Sequence, residues 1–240
     1  MITLKFQPLK PWVQGNESVT PKNFYRDYKP SCEMGSFIAL NVAVDLHLAD
    51  KIDTGNLNDS WIANQQYIEM ACDIAGIDLE EDVEESCFSL DNEEKHWILE
   101  QLGSPPECCY NLYFVTIYNE TEEKLVYIGK TDARKSRFAN GHSVALRLHN
   151  PIYASYKKRV HFGTIMFLTD DKEYLPLEFI QPFDEAEKYL NEMESLLIRW
   201  FNPELNVRCG NMGMMKQMFI HIQNFTESSD FLNDYMVQGY

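Results

Sequence analysis

The sequence predicts an α+β protein with a small, mainly antiparallel sheet flanked by helices. Two aromatic and β-branched runs, at residues 112–118 and 125–128, are separated by a polar, turn-like stretch and indicate a β-hairpin. A nearly continuous apolar run at residues 160–168 indicates a third, buried strand. An apolar stripe with helical spacing between Asp184 and Phe201 indicates a long helix that packs on the sheet.

The chain divides into three segments by composition. Its 240 residues fit one large or two small domains. The run Gly-Ser-Pro-Pro at residues 103–106 marks a boundary. We therefore expect an acidic, mostly helical N-terminal domain over residues 1–107, a sheet-bearing domain over residues 108–210 and a methionine-rich C-terminal tail over residues 211–240.

The N-terminal domain is predicted to begin with an arm. Four prolines within residues 1–35 exclude long helices there and predict an extended segment. From Ser36 the apolar residues recur at three- and four-residue intervals, which predicts a helix through Phe37, Leu40, Val44 and Leu48. Two more helices are predicted to open at Ser60 and near Asp91, whereas the last dozen residues of the chain are predicted to be frayed.

The formal net charge of −16 alone disfavours a nucleic-acid partner, but the charges are unevenly distributed. Residues 1–107 hold 7 Lys and Arg against 20 Asp and Glu. Residues 130–159 reverse the balance, because Asp132 is their only acidic residue. The basic residues of this segment are Lys130, Arg134, Lys135, Arg137, Arg147, Lys157, Lys158 and Arg159. This basic segment predicts either a phosphate-binding surface or a solvated basic face.

The remaining composition predicts a cytoplasmic protein without a membrane partner. The N-terminus lacks an apolar run of signal-peptide length, and no run in the chain approaches the roughly 18 residues of a membrane span. Of the six cysteines, only the adjacent pair Cys108 and Cys109 lies close in sequence, so the spacing predicts reduced thiols rather than a zinc site.

Several residues around the hairpin form a recognisable pattern. Residues 127–129 read Tyr-Ile-Gly, and residues 116–118 read Thr-Ile-Tyr. Lys130 and Arg137 follow Tyr127 by three and ten positions, and His142 comes close behind. These residues resemble the GIY-YIG nuclease family, in which the hairpin carries Gly-Ile-Tyr and Tyr-Ile-Gly. This chain departs from the family by a threonine in place of the first glycine.

Two residues near the end of the long helix extend the resemblance. Glu194 and Asn206 look like the family's metal-binding glutamate and its closing asparagine. The resemblance covers roughly residues 110–208. The first hairpin tyrosine is Tyr118 by the literal motif, or Tyr113 if the strand is longer, and the sequence leaves both open.

The resemblance implies a role for each of these residues. Glu194 would bind one Mg²⁺, for which Mn²⁺ can substitute, and Arg137 would contact the scissile phosphate. Tyr127, together with Tyr118 or Tyr113, would handle the attacking water, and His142 would shuttle a proton. The predicted substrate-binding residues are Lys130, Arg134, Lys135 and Asn206, the last of which would also tie the end of the sheet to the site.

The resemblance thus predicts a Mg²⁺-dependent endonuclease that hydrolyses DNA phosphodiester bonds. Its family includes restriction endonucleases, intron-homing nucleases and the incision subunit of nucleotide excision repair, and we expect a restriction or phage-defence role here. The alternative is a non-catalytic module that binds nucleic acid or protein on the same fold. The acidic N-terminal domain would then serve, in either case, as the surface for a protein partner or a homodimer.

Overall fold

The computed structural model describes residues 5–15, 17–18, 34–78, 89–131, 138, 143–170, 172–206 and 218–238. Its strands are β1 (Gly35–Asp45), β2 (Leu112–Tyr118), β3 (Glu123–Lys130), β4 (Lys157–Leu168), β5 (Tyr174–Pro176), β6 (Phe219–Asn224) and β7 (Tyr235–Gln238). Its α-helices are α1 (Lys10–Gln14), α2 (Leu57–Ala75), α3 (Asn92–Leu102), α4 (Ser143–Arg147) and α5 (Phe183–Phe201). Short 3₁₀ helices lie at Leu46–Lys51, Pro151–Tyr153 and Leu177–Phe179. The predicted α+β class is confirmed.

The strands join in one mixed sheet in the order β3-β2-β4-β1-β6-β7, and β5 pairs with the end of β4. All neighbouring pairs are antiparallel except β1 and β6, which run parallel. The predicted hairpin is confirmed as β2 and β3, and the predicted third strand is confirmed as β4. Because β3 is an edge strand, one side of its backbone is available to the loop that follows α5.

The helix predicted from Ser36 is wrong, because these residues form the central strand β1. A register shift between Leu40 and Val42 marks a β-bulge in its pairing with β4. Ile38 and Leu40 consequently enter one core and Val42 enters the other. A central strand buried on both faces has few polar positions, so its apolar residues also match a helical spacing.

Two apolar cores lie on opposite faces of the sheet. The larger core packs α1, α2, α3 and α5 against one face and includes Trp12, Trp61, Phe114, Ile128, Phe167 and Leu197. The smaller core covers the other face of β2, β3 and β4 and includes Tyr110, Tyr113, Val115, Val126, Val144 and Phe162. The two tyrosine-bearing strands therefore separate two packed layers.

The three segments predicted from composition contribute to this one sheet. Strand β1 comes from residues 1–107, strands β2 to β5 from residues 108–210, and strands β6 and β7 from residues 211–240. Helices α2 and α3 share the larger core with α5. Residues 79–88, which carry five of the acidic residues of the N-terminal segment, lie outside the described residues.

The prediction that the last dozen residues are frayed is wrong, since β7 pairs with β6. The connecting turn is organised by Asn224, whose Nδ2 donates to the carbonyls of Ser229 (3.1 Å) and Phe231 (2.7 Å). Its Oδ1 accepts from the backbone N–H of Thr226 at 2.8 Å. A single buried amide thus fixes the loop that carries Ser229 and Phe231 onto the sheet.

The helix ends follow the predictions in part. The helix near Asp91 is confirmed as α3, and Asp91 and Glu94 form a capping box there. Helix α5 follows Pro182, and among the described residues no side chain caps its start. None of the described helices has the length and apolar character needed to cross a membrane.

Candidate functional site

The hairpin brings Tyr113 of β2 and Tyr127 of β3 together. Their ring centres are 6.0 Å apart, and both rings lie on the side of the smaller core. Tyr113 is fully buried and Tyr127 is half-buried. Phe138 packs its ring edge-on against Tyr113, with 5.2 Å between the ring centres. Of this tyrosine pair, Tyr127 is the member that a ligand in solution can reach.

Gly129 allows the close approach of the two strands' side chains. It pairs with Tyr113 across the hairpin, and a Cβ atom at residue 129 would lie 2.3 Å from the Tyr113 hydroxyl oxygen. This distance is too short for any Cβ atom. Only glycine therefore leaves room for the Tyr113 ring at this position. The packing of Tyr113 therefore explains why the Tyr-Ile-Gly run of this chain needs glycine at its third position.

We expect Gly129→Ala to destabilise the protein by about 2 kcal/mol, because the added methyl group forces Tyr113 out of its packed position. Urea denaturation monitored by circular dichroism would measure the change. Gly76→Ala provides a control, because no atom lies within 4 Å of a Cβ at that position, although its backbone conformation makes alanine mildly strained there. Equal stability of Gly129→Ala and the wild type would contradict the steric role.

Tyr118 lies on the opposite face of β2 from Tyr113, since the two residues are five positions apart along the strand and successive side chains alternate between faces. Its hydroxyl donates to Asp45 Oδ1 at 3.1 Å, and the guanidinium carbon of Arg159 lies 4.0 Å from its ring centre. Burial and then the hydrogen bond to Asp45 raise the pKa of Tyr118. The structure thus brings Tyr113, rather than Tyr118, to Tyr127.

The residue in place of the family's first glycine, Thr116, is buried and donates its hydroxyl to Glu123 Oε1 at 2.6 Å. The same oxygen lies 2.8 Å from His161 Nε2. Glu123 Oε2 accepts from Arg159 Nη1 at 2.9 Å and from Ser229 Oγ at 2.5 Å. Glu123 therefore connects β2, β3 and β4 with the turn before β7, and we call this set the Glu123 cluster.

The protonation states within the Glu123 cluster follow from burial and hydrogen bonding. Burial raises the pKa of Glu123, but hydrogen bonds from His161, Ser229 and Thr116 outweigh that effect and lower it to about 2. Burial lowers the pKa of His161, and the bond to Glu123 offsets this only partly. We therefore assign an ionised Glu123 and a neutral His161 that donates through Nε2. His161 Nδ1 has no hydrogen-bond partner among the described residues.

Asn206 binds the centre of the Tyr-Ile-Gly strand. Its Oδ1 accepts from the Ile128 N–H at 2.9 Å, and its Nδ2 donates to the Ile128 carbonyl at 2.8 Å. The neighbouring Leu205 N–H donates to the Val126 carbonyl at 2.9 Å. The loop after α5 therefore satisfies the free edge of β3, where unpaired backbone groups would otherwise face solvent.

We expect Asn206→Ala to destabilise the protein by about 1–2 kcal/mol, because two hydrogen bonds to Ile128 are lost. Hydrogen exchange should show faster exchange of the Ile128 amide, with little change for amides of β4. Asn202→Ala lies in the same loop and is exposed, although its left-handed backbone makes alanine slightly unfavourable there. An unchanged Ile128 exchange rate would show that Asn206 does not hold this edge.

Lys130, at the end of β3, contacts α5. Its Nζ donates to Asn191 Oδ1 at 2.6 Å. Glu194 lies one helical turn after Asn191 and is half-buried at the edge of the apolar stripe. That stripe packs into the larger core, whereas Tyr127 packs against the smaller core. The Lys130 contact thus links the end of β3, the strand that carries Tyr127, to the helix that carries Glu194.

Four predicted site residues lie outside the described residues: Arg134, Lys135, Arg137 and His142. Among the other members of the basic segment, Arg147 Nη1 donates to the Leu205 carbonyl at 2.6 Å, and Lys158 Nζ donates to the Tyr153 carbonyl at 2.8 Å. Arg159 is paired with Glu123. These three cations therefore stabilise the fold. Part of the predicted basic surface is thus already engaged in contacts within the protein.

The donor atoms available for a divalent cation are few. Within the described part of the chain, no group of three or more His, Cys, Asp or Glu side chains could hold a metal ion. Mg²⁺ usually keeps several water ligands and binds through one or two carboxylates together with substrate phosphates. A single half-buried carboxylate such as Glu194 fits that mode of binding.

The Glu123 cluster and Asn191 were not predicted from the sequence. A partial signal exists for two of these residues, since Arg159 and His161 are two positions apart on a strand and must face the same side. Their acceptor Glu123 is 38 residues from His161, and Ser229 is 106 residues from Glu123.

Comparison with known protein families, reviewed proteins and solved structures finds no match to this chain.

Proposed function

We propose that the protein is a Mg²⁺-dependent endonuclease of the GIY-YIG type that hydrolyses DNA phosphodiester bonds. The observation that carries the proposal is the pair of hydrogen bonds between Asn206 and Ile128, at 2.9 and 2.8 Å. These residues belong to two parts of the predicted pattern that are 78 positions apart. Chance matches in sequence have no reason to meet in space, so this contact supports the pattern as a unit.

The accessible tyrosine of the pair has the better position to act on a water molecule. Tyr127 is half-buried, and in its ionised phenolate form it would accept a proton from the attacking water and become a neutral phenol. Tyr113 is fully buried behind it and would hold the Tyr127 ring in place. Arg137 would donate to the scissile phosphate, where a guanidinium can make two parallel hydrogen bonds.

The β3 end and α5 supply the remaining contacts. Lys130, positioned by Asn191, would hold a phosphate oxygen as a point charge. Glu194 would hold the metal ion, and a bound Mg²⁺ would neutralise the phosphate and the departing oxygen. His142, Arg134 and Lys135 keep the roles that the resemblance implies: proton shuttle for His142 and substrate contact for the two cations. A restriction or phage-defence role is part of the proposal.

A second candidate function is a non-catalytic module that binds nucleic acid or protein. Two observations favour it. Thr116 stands where the GIY-YIG family has its first glycine, and its hydroxyl is hydrogen-bonded to Glu123. The hydroxyl of Tyr118 is hydrogen-bonded to Asp45, and its ring packs against Arg159. Such a module would keep the fold and the binding surface while losing the chemistry. The acidic N-terminal segment would then supply the surface for a protein partner or a second copy.

Incubation of the purified protein with supercoiled plasmid tests the proposal. We expect nicked or linear products with Mg²⁺ or Mn²⁺ and intact plasmid in excess EDTA. Tyr127→Phe should reduce the rate by roughly 10²-fold, the scale of one proton-transfer group. Tyr174→Phe, at an exposed tyrosine on β5, should match the wild type. DNA binding without cleavage under every metal condition would support the non-catalytic module instead.

A further inference from the structure

A cleft of about 260 Å³ opens beside Lys130, between the first turns of α2 and α5. The α2 wall comes from the N-terminal part of the chain, which the pattern of motif residues does not cover. The residues that matter here are Leu57, Asn58, Lys130, Phe183, Glu187 and Leu190. The predicted phosphate-binding lysine is therefore part of a concave site that no motif predicted.

The lining of the cleft combines apolar and polar groups in the way that suits a nucleobase. Phe183 is half-buried and offers an aromatic face on which any base can stack, whereas Leu57 and Leu190 are buried and expose almost no surface to the cleft. Asn58 and Glu187 are exposed and supply polar groups that can reach the edge of such a ring. The cleft thus offers one cation for a phosphate and separate groups for a base.

The wall that carries Asn58 is held rigidly. Asn56, which precedes α2, accepts from the Asp59 N–H at 3.0 Å and donates to Asp59 Oδ2 at 2.7 Å. This bond pair caps the helix and fixes its first turn. On the opposite side, Lys130 is held by Asn191 at 2.6 Å. Both sides of the cleft are therefore positioned before a ligand binds, which limits the entropy lost on binding.

We propose that the cleft binds one unpaired nucleotide of the nucleic-acid substrate, with its phosphate on Lys130 and its base between Phe183, Asn58 and Glu187. This inference rests on the proposed function and assigns the N-terminal segment a direct part in substrate binding. A cleft of this volume admits one base with its sugar and excludes a duplex, so the base must leave the stack.

The polar groups favour a base with an exocyclic amino group. An asparagine amide can pair with N6 and N7 of adenine, and a glutamate can accept from N4 of cytosine. Thymine has no such amino donor for Glu187. The charges that face the cleft are those of Lys130 and Glu187, with Asp59 beside it already bonded to Asn56. A phosphodiester at Lys130 is therefore not confronted by the strong negative charge of the chain as a whole.

Binding measurements with Ca²⁺ in place of Mg²⁺ test the inference without relying on turnover. Fluorescence anisotropy would compare labelled single-stranded dA, dC and dT oligonucleotides for the wild type and for Asn58→Trp, whose indole fills the cleft. We expect dA and dC to bind the wild type more tightly than dT. Asn58→Trp should weaken dA and dC binding by about tenfold or more, the scale of one stacked base.

Asn92→Trp is the matched control, because Asn92 is also exposed in the first turn of a helix and lies outside the cleft. It should bind as the wild type does. Asn58→Ala is a smaller change that should lose the preference for dA over dT, so the test does not depend on folding of the tryptophan variant. Wild-type affinity and preference in both Asn58 variants would overturn the inference.

Failure of the inference and failure of the proposed function give different results. Cleavage by the wild type together with unchanged binding in the Asn58 variants would refute the cleft and leave the nuclease intact. Conversely, a wild type that cuts no DNA would support the cleft without the nuclease if its Lys130 resonance shifts on titration with dAMP and the Lys130 resonance of Asn58→Trp does not. Absence of both binding and resonance shifts would refute the cleft.

Discussion

Replacing Glu194 with glutamine is expected to reduce DNA cleavage by about 10³-fold or more while leaving the fold intact. The carboxylate is the proposed ligand for Mg²⁺, and a metal ion supplies several kcal/mol of stabilisation to the developing charge on the phosphate and the leaving oxygen. Glutamine keeps the volume and one oxygen of the side chain but removes the charge. Because Glu194 lies at the edge of the apolar stripe of α5, the isosteric change should cost little stability.

Single-turnover cleavage of a labelled duplex at several Mg²⁺ concentrations would measure this effect. Glu185→Gln is the matched control, since Glu185 is exposed near the start of the same helix. DNA binding in Ca²⁺ and the melting temperature should be similar for the two variants. Cleavage by Glu194→Gln at the rate of Glu185→Gln would remove Glu194 from the proposed site and would direct attention to residues outside the described part of the chain.

Local pattern was sufficient to predict the hairpin, β4 and α5. The β-branched and aromatic runs of β2 and β3 flank a polar turn, and the stripe of α5 spans its full length, so each element is specified by its own residues. Asn206 was predicted as a tie between the sheet and the site from its place in the pattern. The structure shows two hydrogen bonds between Asn206 and Ile128, which tie the loop after α5 to the sheet, and the part of Asn206 in a site stays a prediction.

Other features depend on contacts that no local pattern contains. Strand β1 was mistaken for a helix because a β-bulge and burial on both faces removed its alternation. The spacing of Tyr113 and Tyr118 along β2 puts them on opposite faces, but which of them meets Tyr127 becomes apparent only when the register of the hairpin is known. The Glu123 cluster joins residues as far apart as Glu123 and Ser229, so it could be found only after the chain was folded.

The Glu123 cluster predicts a large effect on stability. Glu123→Gln should destabilise the protein at pH 7 by about 3 kcal/mol, which corresponds to the lowering of its pKa from an ordinary 4.5 to about 2. Two further facts support this size: the Glu123 and Arg159 side chains are only 15% and 13% exposed. Removing one partner of such a pair leaves the other charge poorly compensated.

The pH dependence has a definite sign. Because the pKa of Glu123 is lower in the folded protein than in the unfolded chain, its contribution is fully present above pH 4.5 and is lost as the pH falls towards about 2. His161 acts in the same direction in a higher range: burial lowers its pKa, so stability also falls as the pH drops below its ordinary value of 6.5. Wild-type stability should therefore decline in two steps on acidification.

Urea denaturation at pH 7, 5 and 3 would separate these contributions. The difference in unfolding free energy between the wild type and Glu123→Gln should be largest at pH 7 and should shrink at pH 3, where Glu123 is already protonated in the unfolded chain but still mostly ionised in the folded protein. Glu120→Gln, in the exposed turn between β2 and β3, is the matched control and should change stability by less than about 0.5 kcal/mol at each pH. A difference that stays constant between pH 7 and pH 3 would mean that Glu123 stabilises the fold through shape and hydrogen bonding alone, and that its charge is not what holds Arg159, His161 and Ser229 together.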